Sequence, residues 1–389
     1  MSKTLTKHKD ESTNKPKAVV GVLTTPKNNQ KYPLPSGKSA KFNQEMIIAA
    51  RNIGILMYCF YPEDIKWPER RIVGHTYVNQ GNKGKWIRDL FPLPDIVYNR
   101  LSFRKHEGEK KVQALLAKLE KEPQIYLFNS RFLNKWEVHH SLSQNPLSVD
   151  LVPDSKMFNM ENLNKMLSEY QSVFVKPTSS SIGKGIIKVE RRSNSRYFYY
   201  KSAASNLGWK SCSSANQLYL NLKKVIGPED KYMIQKAIDL ATLESRVFDL
   251  RTEVQKNGQG QWVLIGVGVR VAARGKYVTH VPNGGSKAVY KDVIDKVFGH
   301  SQKIKQNLGS QLEYICQVAP RVLEESLDIS LGILSIDIGI DKSGIMQIIE
   351  VNSKPAGFDE DDIRRQHVEN LNKYFLYIVN SLNMIQRKG

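Results

Sequence analysis

The sequence predicts a protein of mixed α/β and α+β class, in which an open α/β domain precedes two α+β subdomains. In the first third of the chain, short apolar runs alternate with helical repeats, which is typical of a parallel α/β sheet. From Val173 onward strand-like apolar runs dominate, with few helical stretches among them. The chain has 389 residues, enough for a sizeable core and two or three domains.

The elements of the first third follow from apolar periodicity and from the residues that end each run. Short apolar runs predict strands, and apolar residues three and four positions apart predict helices. Gly54, Pro62 and Asn99 stand where a run ends. The predicted strands are residues 18–24, 55–61, 95–98 and 124–128, and the predicted helices are residues 42–52 and 105–120.

Ligands of open α/β sheets bind beyond the carboxyl ends of the strands. Thr24, Thr25, Asn99 and Arg100 stand at such ends. They are therefore candidate substrate-side residues, although ordinary polar loop residues would give the same pattern.

The remaining elements continue the same analysis. A helix over 131–143 contains Lys135, and the two prolines of 145–154 indicate a connector. Further helices are predicted at 159–170, 214–224, 288–298, 310–327 and 361–385. Further strands are predicted at 173–176, 186–190, 197–200, 233–238, 246–254, 262–271 and in a hairpin at 336–352.

The hairpin is the most informative segment, because it carries oxygen ligands within apolar runs. The turn chemistry of residues 341–344 predicts that Ile340 pairs with Ile345. Asp337 then lies opposite Ile348, and both share a face with Glu350 and Asn352. Two carboxylates and an amide oxygen suit Mg2+, which completes its shell with phosphates and water. The alternative is a surface hairpin with solvated acidic residues.

A strand that ends at Lys176 is followed by a loop rich in serine and glycine. Glycines let backbone amides approach an anion, and hydroxyl groups add donors, so the loop predicts a flap over phosphates. The pattern differs from a P-loop, since no Gly-Lys-Ser/Thr opens a helix. A flexible hairpin without a ligand is the alternative. The residues concerned are Ser179, Ser180, Ser181, Gly183 and Gly185.

Three arginines interrupt strands that are otherwise apolar. Arg246, Arg251 and Arg270 can each bind phosphate or carboxylate through a fork of N–H donors. Each alone is as well explained by a salt bridge within a sheet. The loop that contains Asn283 is rich in amides and can hold an anion or simply turn the chain.

Composition limits the class of partner. The net charge of +20 favours an anionic partner or substrate, but no basic run interleaved with aromatics indicates a nucleic-acid module. Residues 1–17 are polar and lysine-rich, which predicts a disordered leader and no secretory signal. No apolar run reaches the length of a membrane span. Three widely separated cysteines predict a reducing, cytoplasmic environment.

Taken in order, these motifs resemble the ATP-grasp fold over residues 129–358. The features that match are the helix with Lys135, the Lys176 strand and its flap, and the pair Asp337 and Glu350. Within that superfamily the chain is similar to the YheC/YheD family of endospore coat-associated proteins, since Trp86 and residues 91–100 resemble the N-terminal region of that family.

The resemblance implies a division of the chain and a set of residue roles. After the leader at 1–17, it implies a pre-ATP-grasp-like α/β domain at 18–128, a small subdomain with the flap at 129–233, and a large subdomain with the metal site and C-terminal helix at 234–389. Lys135 and Lys176 would hold ATP phosphates, and Gln235, Lys236 and Ile238 would form the adenine hinge. Asp337, Glu350 and Asn352 would bind Mg2+ or Mn2+, and Arg251 and Asn283 would lie near the γ-phosphate and the acceptor. Asp239 and Glu244 are both candidates for the acidic residue that binds the ribose of ATP.

The resemblance also implies an activity: ATP-dependent ligation of a carboxylate to an amine or a thiol through an acylphosphate. Apart from the resemblance, Arg270 is a further candidate for stabilising charge in such a reaction. The resemblance does not identify the substrates. An ATP-binding structural coat protein without turnover is the alternative, and a basic adhesion or nucleic-acid-binding protein is a third hypothesis. Spore coat proteins are the macromolecular partners that the family implies.

Overall fold

A computed structural model describes residues 15–25, 34–80, 83–180, 183–192, 196–201, 208–279, 284–355, 357–358 and 360–386. Most of the predicted leader, together with Ser181 and Asn283, lies outside these residues. Within them the strands form three sheets, which follow one another along the chain. The fold is thus the mixture of α and β elements that the sequence predicts.

The first sheet is parallel at its centre and antiparallel at one side. Its order is β3-β4-β2-β1-β6-β7, with β5 paired to β4. Strands β2, β1, β6 and β7 run parallel. The elements of this part are β1 (Ala18–Leu23), α1 (Gly37–Asn52), β2 (Ile55–Phe60), β3 (Ile65–Lys66), β4 (Arg71–Gln80), β5 (Lys83–Pro92), β6 (Ile96–Asn99), α2 (Arg104–Glu107), α3 (Lys110–Lys121) and β7 (Tyr126–Phe128).

Two features of this region differ from the sequence prediction. The antiparallel strands β4 and β5 form a long hairpin that the apolar pattern did not indicate, because charged residues interrupt the apolar residues on both of its faces. The helix predicted over 105–120 is two helices, which Gly108 separates.

The second sheet is antiparallel, with the order β12-β11-β10-β9-β13-β8. Helices α5 and α6 cover one face through Leu163, Met166, Leu218 and Leu222, which pack on apolar residues of β9 and β10. The elements of this part are α4 (Lys135–Ser143), β8 (Ser155–Met157), α5 (Met160–Glu169), β9 (Ser172–Pro177), β10 (Ile187–Arg192), β11 (Arg196–Lys201), β12 (Lys210–Cys212), α6 (Ala215–Lys223) and β13 (Tyr232–Lys236).

The third sheet is also antiparallel, with the order β17-β16-β15-β18-β19 and with β14 paired to β15. Helix α8 begins eight residues before the predicted 310–327 helix, and Gly309 lies within it as an ordinary helical residue. The elements are β14 (Thr242–Leu243), β15 (Arg246–Lys256), β16 (Trp262–Val271), β17 (Ser286–Val289), α7 (Tyr290–Phe298), α8 (Gln302–Leu327), β18 (Ile333–Ile340), β19 (Met346–Asn352) and α9 (Asp361–Gln386).

The C-terminal helix α9 ties the first sheet to the third. Its residues Val368, Leu371 and Phe375 share a core with Val20 of β1 and Ile47 of α1. The same helix reaches the third sheet through the contact of His367 with Glu253 of β15. No helix in the described part of the chain has the length and hydrophobicity needed to cross a bilayer.

Asn129, which follows β7, links the same two sheets through polar bonds. Its side chain is fully buried, and its Oδ1 accepts hydrogen bonds from the N–H groups of Gly332 and Ile333 at 2.9 and 3.2 Å. Its Nδ2 donates to the carbonyl of Ile333 at 2.6 Å. The residue has a left-handed φ of 52°, which asparagine tolerates better than most residues. These bonds fix the start of β18, the strand that carries Asp337.

Candidate active site

One cavity is lined by residues of both the second and the third sheet. It brings together most of the residues that the sequence analysis assigned to a nucleotide site, although they are far apart in the chain. The predicted residues that line it are Lys135, Lys176, Ser180, Gly183, Gln235, Lys236, Ile238, Arg270, Asp337 and Glu350.

The hairpin of β18 and β19 places two carboxylates directly opposite each other, in a register that the sequence analysis predicted wrongly. Ile340 pairs with Met346, and a β-bulge between Asp337 and Ile338 then shifts the register so that Asp337 pairs with Glu350. Ile348, the residue predicted opposite Asp337, is buried in the core on the other face.

Asn352, the third predicted ligand, lies opposite Ser335 and therefore two positions along the face that carries Asp337 and Glu350. It does not line the cavity itself. The structure thus brings two of the three predicted ligands into the cavity and leaves the third beside it.

Each cavity carboxylate is paired with a basic side chain of the protein. Lys135 Nζ lies 3.0 Å from Glu350 Oε1, and Arg270 Nη2 lies 2.9 Å from Asp337 Oδ2. Arg270 also donates two hydrogen bonds of 2.8 Å to the two oxygens of Asp249. With Lys176, these two basic residues balance the three carboxylates of the lining. Lys236 is a fourth basic residue of the lining, but it is exposed and its Nζ lies 5.2 Å from the ring centre of Tyr170.

Lys176 is buried beneath these groups. Its Nζ donates to Gln235 Oε1 at 2.6 Å and to the carbonyl of Ile349 at 3.3 Å, and the residue is only 5% exposed. Burial, with the neighbouring charge of Lys135, lowers the pKa of Lys176 to about 8, and Glu350 opposes the shift. A bound anion stabilises the charged form of a lysine, so phosphate binding should raise this lowered pKa.

Burial raises the pKa of Asp249 to about 6, against the effect of Arg270. Burial also opposes the charge of Arg270, but Asp337 and Asp249 outweigh it and raise the pKa of the guanidinium. Arg270 therefore stays charged under all ordinary conditions, whereas burial favours the neutral form of Asp249. Thr279 Oγ1 donates to Asp249 Oδ2 at 2.6 Å and completes this buried group.

The start of α4 positions Lys135. Asn134 caps the helix by accepting a hydrogen bond of 2.8 Å from the N–H of Trp136, and Glu137 completes a capping box. The helix therefore begins at Lys135 and not at residue 131 as predicted. The Lys135 N–H donates to the carbonyl of Thr178 at 2.8 Å, which anchors the helix to the Ser/Gly loop.

The Ser/Gly loop is anchored at both ends by specific contacts. Asn134 Nδ2 donates to Ser179 Oγ at 2.9 Å. Gly185 has a φ of 78°, and a Cβ there would lie 2.9 Å from Pro177 Cγ, so only glycine fits. Ser179 and Gly185 hold the loop in place, while Ser180 and Gly183 line the cavity.

The predicted adenine hinge lies at the end of β13. Gln235 uses its side chain inside the protein, since Nε2 donates to Ser155 Oγ at 3.0 Å and Oε1 accepts from Lys176. Its role is thus to orient Lys176. The N–H of Lys236 donates to the carbonyl of Asp154 at 2.8 Å. The N–H of Ile238 donates no hydrogen bond within the described residues, so it is available to a ligand.

The sequence analysis did not assign roles to Asp249, Tyr277 and Thr279, which also line the cavity. The sequence could have indicated Asp249, because Asp249, Arg251 and Glu253 alternate along an apolar strand and therefore share one face. Tyr277 and Thr279 lie in a segment without periodicity, and no local pattern indicated them.

A second, larger cavity of about 800 Å³ lies on the other side of Arg270, which lines both. Arg251 lines this second cavity, as do Asn99 and Arg100 from the end of β6. Thr24 and Thr25 do not line it.

The two candidates for ribose binding are engaged elsewhere. Asp239 forms an ion pair with Lys342 at 2.9 Å, and Glu244 forms one with Arg246 at 3.2 Å. Neither residue lines the first cavity. The Asn283 position, predicted near the acceptor, cannot be compared because it lies outside the described residues.

The donor set of the first cavity fits a hard divalent cation that shares its shell with phosphates. Asp337 and Glu350 supply carboxylate oxygens from adjacent strands, as Mg2+ prefers. Among the described residues no group of three or more histidine, cysteine, aspartate or glutamate side chains is arranged to hold a metal alone. Such a site would therefore depend on a bound phosphate to complete the coordination.

Several known proteins resemble this chain over most of its length. The family model "YheC/D like ATP-grasp" matches residues 124–378. The endospore coat-associated protein YheD of Bacillus subtilis is 27% identical over 333 residues, covering 85% of this chain and 71% of its own. The endospore coat-associated protein YheC of the same organism is 25% identical over 321 residues, covering 82% of this chain and 85% of its own.

Two solved structures share the fold. The D-alanine-D-alanine ligase from Coxiella burnetii is 11% identical, with a TM-score of 0.51 over 95% of this chain and 96% of that chain. The D-cycloserine synthetase DcsG is 11% identical, with a TM-score of 0.52 over 92% of this chain and 100% of that chain.

Proposed function

The chain belongs to the YheC/D-like ATP-grasp family, and on that premise we propose that it is an ATP- and Mg2+-dependent ligase that joins a carboxylate substrate to an amine or a thiol. The observation that carries the proposal is the first cavity, where two lysines, an arginine and two opposed carboxylates meet beneath a Ser/Gly loop. This set suits phosphoryl transfer, which needs positioning and charge neutralisation more than covalent chemistry by the protein.

The charge balance of the cavity supports entry of the nucleotide with a divalent cation. Lys135, Lys176 and Arg270 already face three carboxylates, so a triphosphate must bring much of its own countercharge. Asp337 and Glu350 are the residues that would hold Mg2+, with Asn352 beside them. When bound, the cation supplies neutralisation of the β- and γ-phosphates.

The residues of the chain would then act in two steps. Lys135 and Lys176 hold the phosphate oxygens while a carboxylate oxygen of the substrate attacks the γ-phosphorus and the bond to ADP breaks. The amine or thiol next attacks the acyl carbon, gives up its proton, and phosphate leaves with the bonding electrons. Arg270 faces both cavities and donates to the oxygens that carry charge in both steps. The Ser/Gly loop excludes water from the acylphosphate.

The direct test traps the acylphosphate. The protein is incubated with ATP, Mg2+, hydroxylamine and a panel of carboxylates, and both ADP and hydroxamate are measured. We expect ADP and hydroxamate to form together and only with a suitable carboxylate. ATP binding without ADP formation across a broad panel would favour the structural alternative, and absence of ATP binding would exclude both.

Nucleotide binding is expected to take up protons near pH 8. Free Lys176 has a pKa of about 8, and a bound phosphate favours its charged form, so about half a proton per site should be taken up at that pH. Titration calorimetry in two buffers of different ionisation enthalpy measures this uptake. Lys176→Arg is the matched control, because arginine is already charged. Equal uptake by both proteins would contradict the assignment of Lys176.

The names of the two curated relatives suggest where the protein acts. Both are called endospore coat-associated, and we extend that association to this chain. Its detection in coat extracts of spores from its own source, and its absence from the spore core fraction, would support this part of the proposal. The reverse distribution would contradict it.

A further inference from the structure

The second cavity lies beside the proposed phosphoryl-transfer site and is shaped by several parts of the chain. Residues from the first turns of α1, the end of β6, strands β15 and β16, the segment after β19 and the start of α9 line it. Its volume of about 800 Å³ is at the upper end of the range for binding sites of small molecules. A single amino acid would leave much of it empty.

The lining has a large excess of positive charge. Eight basic side chains face it, against two acidic ones, Glu45 and Glu360. Both acidic residues are already paired, Glu45 with Arg364 at 2.9 Å and Glu360 with Lys287 at 3.6 Å. They are therefore not available to neutralise the remaining basic residues of the cavity.

Some of the basic residues are neutralised within the protein. Arg270 is paired with Asp249 and Asp337, and Lys354 with Glu107. These residues serve the first cavity and the contact between the first and third sheets. Other basic residues of the lining also contribute to the positive potential of the cavity.

Arg100 is the clearest of these residues, because it is rigidly held yet has no carboxylate partner among the residues that the structure describes. Its guanidinium carbon lies 4.3 Å from the ring centre of Phe42 and 5.5 Å from that of Tyr98. Its Nη1 donates to Asn43 Oδ1 at 3.2 Å. The aromatic contacts fix the plane of the guanidinium and leave its other N–H groups for a ligand.

Two further features place positive potential in the same cavity. The guanidinium carbon of Arg251, in β15, lies 5.6 Å from the ring centre of Phe358. Arg251 is also the direct partner of Asp337 across the paired strands β15 and β18. The first turn of α1, a helix of 16 residues, contributes Lys38 and Lys41 together with the positive end of its dipole.

We infer that the substrate activated at this site is a polycarboxylate, with one carboxylate presented to the γ-phosphate near Arg270 and at least one more bound by Arg100. The inference rests on the proposed function for the identity of the first carboxylate. It adds a specificity-determining residue that the N-terminal sheet contributes and that phosphoryl transfer itself does not need. An acidic oligopeptide carries several carboxylates and has the size that a cavity of about 800 Å³ accommodates.

The test compares two peptides that differ only in side-chain charge, N-acetyl-Glu-Glu-Glu and N-acetyl-Gln-Gln-Gln, each with a free terminal carboxylate. Binding to the full chain is measured by titration calorimetry at low and at physiological salt, without nucleotide. The acidic peptide is expected to bind at least tenfold more tightly at physiological salt. Equal binding of the two peptides would overturn the inference without any variant being needed.

Arg100→Gln should weaken binding of the acidic peptide by about 10- to 100-fold and leave the amide peptide unaffected, because a hydrogen-bonded charge pair is lost. Arg365→Gln is the matched control: Arg365 lies on α9 next to Arg364, is exposed and does not line the cavity. Equal losses in the two variants would show general attraction by net charge and would overturn a specific site. The affinity of Arg100→Lys for the acidic peptide should fall between those of Arg100→Gln and the parent protein, since lysine keeps the charge but not the forked N–H donors.

Two outcomes separate this inference from the proposed function. Acidic-peptide binding that depends on Arg100, without any ADP formation in the hydroxylamine assay, would support the cavity and contradict the ligase. ADP formation with monocarboxylates but not with the acidic peptide would support the ligase and contradict the polycarboxylate substrate. Inorganic tripolyphosphate is the third probe, and tighter Arg100-dependent binding of tripolyphosphate than of the peptide would overturn the carboxylate assignment.

Discussion

Replacing Glu350 with glutamine is expected to lower ATP-dependent turnover by about two to four orders of magnitude. Glu350 lies opposite Asp337 and is paired with Lys135, so the change removes one of two carboxylates proposed to bind Mg2+. It also leaves Lys135 without its counterion. Glutamine keeps the size and one oxygen of the side chain, which makes a folding defect the lesser concern.

The measurement is ADP formation and the thermal stabilisation given by ATP, both as a function of Mg2+ concentration. In Glu350→Gln we expect the Mg2+-dependent part of the stabilisation to disappear largely. Glu244→Gln is the control, because that glutamate belongs to the same part of the chain and is 63% exposed in its side chain. Its Mg2+ dependence should match that of the parent protein.

Asn352 provides a graded comparison within the same strand. It lies on the face of Asp337 and Glu350 but outside the cavity lining, so Asn352→Ala should have a smaller effect than Glu350→Gln. The double change to alanine at both positions should abolish Mg2+-dependent stabilisation. If the double variant binds ATP and Mg2+ as the parent protein does, the proposed metal site is wrong.

The hairpin of β18 and β19 illustrates what the sequence could predict and what it could not. The apolar runs, the turn and the ligand residues were evident locally. The register was not, because the turn is longer than predicted: the Asp341 carboxylate accepts hydrogen bonds from the N–H groups of both Ser343 and Ile345. Without the bulge near Asp337, this longer turn would place Glu350 on the opposite face.

Other site features depended on contacts between segments far apart in the chain. Lys176 was predicted because it ends a strand before the Ser/Gly loop, and Lys135 because the order of the motifs resembles the ATP-grasp fold. The buried group of Asp249, Arg270 and Thr279 joins three segments, and its partners cannot be inferred from the spacing of any one. Likewise, the pairing of β4 with β5 was missed because charged residues interrupt the apolar residues on both faces of the hairpin.

The largest effect on stability is expected from Arg270→Met. Arg270 lies between Asp249 and Asp337, and the three side chains are 7%, 7% and 4% exposed. Loss of the guanidinium leaves two buried carboxylates without their cation, which should cost about 3–5 kcal/mol of the free energy of unfolding at neutral pH. Denaturant unfolding at pH 7.5 measures this change. Arg246→Met should cost less than about 1 kcal/mol, because its partner Glu244 is exposed.

The loss should depend on pH in a definite direction. Asp249 already has a pKa of about 6 in the folded protein, above its ordinary value of 3.8, and removal of Arg270 moves that pKa further upward. Between the unfolded and folded values the folded state binds more protons, so stability increases as the pH falls through that window. The destabilisation by Arg270→Met should therefore be smaller at pH 5.5 than at pH 7.5.

A combined variant separates charge from packing. Arg270→Met together with Asp249→Asn and Asp337→Asn removes the buried charges along with their partner, and it should recover much of the stability lost in Arg270→Met at pH 7.5. A loss that is equal at both pH values and is not recovered in the combined variant would mean that Arg270 acts mainly through packing of its side chain. In that case the charges of the cavity would no longer support the proposal that the nucleotide enters together with a divalent cation.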